Sequence, residues 1–187
     1  MPRAFAEIAF TPSVQAIQEK QGSAASYAKF LQPDVTGGDR LSPREAEFIA
    51  DRDGFYQATV SETGWPYVQF RGGPRGFLKV LSETQIAYAD FRGNRQYVSA
   101  GNLSGENRVS LILMDYPNRR RLKIWGHANI IDAEDPSAMA SQLHDEHYKA
   151  VTERAVVITI DAFDWNCPQH IPQRFTLEEL EQLQILS

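Results

Sequence analysis

Between Pro74 and Gly126, cations recur where apolar, strand-like stretches begin or end: Arg75, Lys79, Arg92, Arg95 and the run from Arg119 to Lys123. Fixed N–H donors are what a phosphate group requires; arginine supplies a planar fork and lysine a point charge. The segment Arg92-Gly93-Asn94-Arg95-Gln96 precedes an expected helix over residues 95–103. The first backbone amides of such a helix add positive potential of their own. This pattern points to a phosphate cradle beside a β-sheet. The competing reading is a solvated loop whose charges serve solubility. Because a strand alternates its side chains, Arg119, Arg120 and Arg121 cannot all face one way, whereas Arg121 and Lys123 share a face.

Two other constellations bear on chemistry. Cys167 and His170 would make a thiolate–imidazole pair for a small hydrolase. However, Pro168 between them favours a turn, and no third group is visible to orient the histidine. His144 and His147, three apart, are expected on one helical face, with His127 as a further ligand if they held a metal. Solvated helix surface is the simpler reading, and no metal is expected.

The elements that must carry these residues follow from periodicity and caps. Residues 12–32 read as one or two short helices interrupted at Gly22. Ser42-Pro43-Arg44-Glu45 is a capping box with proline at the first helical position, opening a helix to about Asp53. From Phe55 the pattern becomes β: two strands around Glu62-Thr63-Gly64, two more around Ser82-Glu83-Thr84, then residues 108–116, 121–132 and 155–165. The continuous apolar run of residues 108–116 reads as a strand buried on both faces. Leu122 and Ile124 are expected on one side of the next strand, with Arg121, Lys123 and Trp125 on the other. Asp135-Pro136 opens a helix to about Tyr148, and Thr176 to Glu179 caps a terminal amphipathic helix. Six or seven strands without strand–helix alternation favour an antiparallel barrel over a parallel sheet. The expected organisation is an N-terminal helical extension over residues 1–42 packed on a barrel domain of residues 43–187.

Composition bounds the rest. The 187 residues are 42% hydrophobic and 23% charged, ordinary for a globular chain. With 19 Lys and Arg against 24 Asp and Glu, the net charge of -5 lacks the basic excess of a nucleic-acid-binding module. The single cysteine excludes an internal disulfide and a cysteine-rich zinc site. No apolar run approaches the roughly 20 residues of a membrane span. The N-terminus lacks the long apolar stretch of a secretory signal, so a cytoplasmic protein without membrane or nucleic-acid partners is expected.

From residue 55 to 126, and again over 164–174, the spacing resembles the pyridoxamine 5'-phosphate oxidase-like, FMN-binding split barrels. The resemblance implies a mainly β fold with peripheral helices, built as an antiparallel split barrel of six or seven strands. It places Arg75 and Lys79 where that family holds the flavin phosphate, Ala89 and Asp90 where it touches the flavin again, and Asn94-Arg95-Gln96 at its phosphate loop. It also matches Arg121 to a flavin contact supplied by the second subunit, and Trp165 and Arg174 to a late Trp and Arg. A homodimer with FMN at the interface is thereby implied. Gln96 stands where a lysine is usual, and Arg71 is the compensating cation. Lys123, beside Arg121, is expected near the flavin ring. The segment from Trp165 to Ile171 does not look like the one that grips pyridoxal phosphate in the true oxidases, so a different subgroup is implied. The implied activity is electron transfer from NADH or NADPH to a small-molecule acceptor. The alternative is a non-catalytic binder of flavin, haem or deazaflavin on the same fold. The sequence lacks a glycine-rich dinucleotide fingerprint, which favours FMN over FAD.

Overall fold

The computed structural model describes residues 3–134, 139–165 and 167–183. Seven antiparallel strands form one sheet: β1 (Gly54–Val60), β2 (Pro66–Gly72), β3 (Lys79–Ser82), β4 (Gln85–Phe91), β5 (Arg108–Asp115), β6 (Arg120–Asp132) and β7 (Thr152–Trp165), in the order β2-β1-β5-β6-β7-β4-β3. This is the split barrel expected from the sequence. Inward side chains from β1, β4, β5, β6 and β7 meet in one core that includes Phe55, Ile86, Tyr88, Leu111, Leu113, Leu122, Ile124 and Ile158, all almost wholly buried. Area removed from water on this scale is the main force holding the sheet curled.

Helices close the ends and faces. At one end α4 (Pro43–Ala50) drives Phe48 and Ile49 into the core. Its start is the anticipated capping box: the Ser42 hydroxyl accepts from the Arg44 amide at 3.3 Å and the Glu45 carboxylate accepts from the Ser42 amide at 3.0 Å. Elsewhere α5 (Val98–Gly105) contributes Leu103 to the core, and its Asn102 donates to Thr59 at 3.0 Å. On the outside of the sheet, α6 (Met139–Leu143) covers β4 and β7. Ala87, Ala89 and Ala155 face it there with Ala140 and Leu143, and these small side chains let the helix sit close. β4 is consequently buried on both faces. That role was expected of residues 108–116, but β5 alternates: Val109, Leu111 and Leu113 point inward and Ile112 is exposed. Among the described residues no helix lies across the exposed Ile112 of β5, so an unbroken apolar run was a poor guide to two-sided burial.

At the N-terminus lie α1 (Ala4–Ala9), α2 (Pro12–Lys20), α3 (Ala24–Ala28) and a short 3-10 turn over Lys29–Leu31. The first of these helices was not foreseen, since its pattern is too short to show a period. It packs against β7, and Phe5 stacks on Trp125 of β6 with ring centroids 4.8 Å apart. The start expected at Asp135-Pro136 falls outside the described residues, but α6 ends at Leu143 rather than near Tyr148. His144 and His147 therefore do not share a helical face; His144 instead meets the Thr152 hydroxyl at 3.1 Å. Gly126 lies where β6 and β7 shift register, and a Cβ there would fall 2.2 Å from the Thr159 carbonyl oxygen. The terminal helix α7 (Leu177–Gln182) has the expected Thr176–Glu179 capping box. No helix among the described residues is long and apolar enough to cross a membrane.

The turn from β5 to β6 is tied by Asp115, which is 2% exposed. Its carboxylate accepts from Arg120 at 2.7 Å and from the Asn118 backbone at 3.1 Å, with Arg52 at 3.9 Å. Burial pushes this carboxyl up, but the Arg120 and Asn118 hydrogen bonds and the Arg52 charge outweigh it, so it titrates below the ordinary value of 3.8. Its stabilising effect is thus present above pH 3.8 and is lost as pH falls through the lower, native value. Asp115→Asn should cost about 2 kcal/mol in urea unfolding at pH 7. The gap to the parent chain should narrow as the titration is repeated toward pH 2. A gap independent of pH would mean that the carboxylate charge is not what ties the turn.

Candidate functional site

The sheet's end strands do not pair with each other, and β2 approaches β4 through side chains alone. Alternation along β2 turns Tyr67, Gln69 and Arg71 toward this opening, opposite Asp90 at the end of β4. The result is a cleft of about 240 Å³, further lined by Asn94, Arg95, Gln96, Tyr97, the first residues of α5, Glu153 and Arg154.

A buried carboxylate fastens the floor. Asp90, 5% exposed, accepts from Arg71 at 2.6 Å and from Arg154 at 3.0 Å. The register of β4 on β7 sets Arg154 directly opposite Asp90. Glu153 forms the next link: it accepts from Arg92 at 2.8 Å, Arg154 at 3.0 Å and the Tyr97 hydroxyl at 3.2 Å. The Arg92 hydrogen bond, only partly opposed by desolvation, holds the Glu153 carboxyl below its ordinary range. Beneath the floor, burial pushes the Tyr88 phenol up to about 12, so it stays protonated and donates to Gln57 at 2.8 Å. Four guanidinium groups (Arg71, Arg92, Arg95 and Arg154) thus face two carboxylates, and the cleft region is left positive. The Nε of Arg71 is buried without a hydrogen-bond partner among the described residues.

The rim is conformationally strained. Arg95 and Tyr97 adopt left-handed backbone angles, φ 62° and 54°, which non-glycine residues seldom take. The side chain of Asn94 accepts from the Gln96 amide at 3.1 Å and fixes the turn. These constraints delay the helix from its expected start at residue 95 to Val98. Tyr97, its N-cap, offers no side-chain acceptor, so the first amides of α5 open on the cleft uncapped. An anion placed there meets amide donors, the helix dipole and Arg95 together.

The residues expected to bind cofactor divide by location. Arg71, Asp90, Asn94, Arg95 and Gln96 line this cleft. Ala89 faces the other way, beneath α6. Arg75 is ion-paired with Asp51 after α4, and Lys79 lies exposed on β3 opposite Ala87. Arg121 and Lys123 occupy the outer face of β6, Lys123 under Phe5 and 3.7 Å from Asp164. Trp165 donates its indole N–H to Glu45 at 2.7 Å, and Arg174 stacks on Tyr116. Cys167 is exposed, and His170 takes a left-handed turn conformation. Among the described residues no three His, Cys, Asp or Glu side chains converge as a metal site. Sequence reasoning missed Gln69, Ser99, Glu153 and Arg154. The period of two in β2 was the available signal for Gln69. Arg154 depends on a strand pairing 64 residues apart, which no local pattern carries.

Residues 41–166 match the family model of pyridoxamine 5'-phosphate oxidase. Among solved structures, HupZ of Group A Streptococcus superposes with a TM-score of 0.54 at 12% identity, over 72% of this chain and 100% of that one. An FMN-binding protein of Syntrophomonas wolfei gives 0.52 at 11% identity, over 80% and 97%. A Lactobacillus delbrueckii protein assigned to pyridoxamine 5'-phosphate oxidase gives 0.52 at 20%, over 67% and 94%. At these identities the likeness is one of fold. No curated protein matches the chain.

The clamp at the cleft floor has a measurable weight. Asp90→Ala, which strands two mostly buried guanidinium groups, should cost about 3 kcal/mol in urea unfolding. Adding Arg71→Met should recover part of that loss. If the two changes proved simply additive, Asp90 and Arg71 would not be energetically coupled.

Proposed function

The chain belongs to the pyridoxamine 5'-phosphate oxidase family, and we propose from this that it binds FMN at the split of the barrel and serves as an oxidoreductase. One observation carries the reading: the strained turn Asn94–Tyr97 sets Arg95 beside the uncapped start of α5, inside a positive cleft. These donors fit a phosphomonoester, and the unpartnered Nε of Arg71 fits a further polar atom of the ligand. Bound FMN would supply hydride and electron transfer between a reduced nicotinamide and a small-molecule acceptor. The chain's own residues have narrower tasks. Arg95 and the first α5 amides hold the phosphate. The Asp90 clamp keeps Arg71 directed at the cleft, and Ser99, donating to Gln69 at 3.0 Å, ties α5 to β2 so the cleft keeps its width.

The proposed assembly is a homodimer. On the outer face of β2, β1 and β5 the register brings Tyr56, Phe70 and Ile112 into one row, with Val68 in the next. Val68 and Phe70 are 60% and 57% exposed, an apolar strip that a second copy would cover. Arg121, on the same outer face, is then available to a partner's flavin.

Purified protein incubated with FMN and desalted should retain a flavin absorption band. Arg95→Ala should weaken FMN binding about 10–100-fold, the loss of a charge-assisted hydrogen bond. Arg75→Ala and Lys79→Ala, outside the cleft, should remain within about threefold. Equal losses at all three positions would relocate the phosphate. Retained flavin with no acceptor-dependent consumption of NADH or NADPH would favour a binder over an enzyme.

Val68→Glu should convert the dimer to monomers in analytical ultracentrifugation and reduce FMN retention with it. A monomeric parent chain would remove the interface from the proposal.

A further inference from the structure

We propose that the pocket between the N-terminal helices and strands β6 and β7 is a second binding site, for a planar aromatic carboxylate of one or two rings. It lies apart from the cleft at the split and shares no lining residue with it. The inference goes beyond the flavin reading and does not depend on it.

The pocket measures about 360 Å³, within the size range of small-ligand sites, and is open to solvent on one side, where Tyr27 is exposed. Its walls are aromatic. Phe5 comes from α1, Phe10 from the residue after it, Tyr27 from α3 and Phe30 from the 3-10 turn. Phe10 meets Tyr27 edge-on at 5.6 Å, and Tyr27 tilts against Phe30 at 6.3 Å. Rings held at such angles present their edges to the space between them, which suits a flat guest.

The charged end of the cavity determines the guest's polar group. Arg3 and Lys123 both lean on one carboxylate, Asp164, at 3.2 and 3.7 Å. Among the described residues no other carboxylate is paired with either cation, so two positive charges share one negative charge. The longer of the two contacts leaves Lys123 weakly compensated although it is only 26% exposed. Desolvation accordingly lowers the pKa of its ammonium, the direction expected of a cation short of counter-charge. The ring faces are already engaged by cations from the chain itself, Lys123 at 4.2 Å from the Phe5 centroid and Arg3 at 5.6 Å from that of Phe30. A cationic guest would compete with those groups and be repelled by them. A carboxylate on an aromatic body supplies the missing negative charge and fills the apolar space at once.

Isothermal titration of the full chain, with saturating FMN and again without it, tests this with three probes of one shape: 2-naphthoate, 2-naphthylmethanol and 2-naphthylmethylammonium. The acid should bind roughly tenfold or more tighter than the alcohol, and the ammonium weakest. Lys123→Met should erase the preference for acid over alcohol, whereas Tyr27→Ala should weaken both. If Lys123→Met fails to fold, Arg3→Met makes the same charge test from the other side of Asp164. Naphthoate binding that is absent, no stronger than that of the alcohol, unchanged in the charge variants, or displaced by FMN would overturn the proposal. The titration without FMN decides the matter even if the chain binds no flavin.

Discussion

The barrel and its cleft both depend on one buried carboxylate. Sheet order leaves β2 at one end and β3 at the other, and no backbone ladder joins β2 to β4. Asp90 bridges that gap, held by Arg71 on one side and Arg154 on the other. A buried carboxylate with a single partner would gain little over its desolvation cost. With two guanidinium partners its charge is well compensated. Because the same arginines form the cleft floor, the interaction that joins the split also fixes the site's charge and width.

Around this clamp the chain assigns rigid and strained parts to different elements. β4 is gripped on both faces, by the core within and by α6 through a set of alanines without, so Asp90 sits on a strand with little freedom. The turn that follows it carries left-handed Arg95 and Tyr97. Strained non-glycine conformations persist only where the surroundings over-determine them. Here the Asn94 side chain and the Tyr97–Glu153 hydrogen bond do so, and the result is a helix start without a cap facing the cleft. A fixed array of donors on a stiff scaffold is what anion binding needs, since little is then spent on ordering the site.

Besides α6 over β4 and β7, the outer face of the sheet has one further covered area and one bare one. Over β6 and β7 the N-terminal helices supply aromatic rings, and Lys123 and Trp125 end beneath them. Over β2, β1 and β5 Tyr56, Val68, Phe70 and Ile112 are left exposed by the described residues. The proposed partner subunit fits the second area, and the proposed aromatic carboxylate fits the cavity inside the first. Lys123, expected beside a flavin ring because it shares a strand face with Arg121, lies within the covered part.

Seven strands, two capping boxes and the antiparallel class were legible in the sequence because each rests on local periodicity or on a cap spanning four residues. The turn before α5 was legible for a similar reason: Arg92 to Gln96 carries its glycine, its polar side chains and its cations within five residues. Two-sided burial was misread, because a run of apolar residues does not say whether a helix will lie across it. β4 has α6 above it, whereas the outer face of β5 leaves Ile112 exposed. The start of α5 shifted because the left-handed turn before it is held by Glu153, more than fifty residues away. The grouping of the cations was the most tertiary matter of all. Arg71 and Arg95 reach one cleft, Arg75 pairs with Asp51, and Lys123 is enclosed by an N-terminal helix. Residue types and local order determined what each segment could be. Register between distant strands, and the helices laid over them, decided which charges meet, because a charge's environment is set by what packs against it and not by its neighbours in the chain.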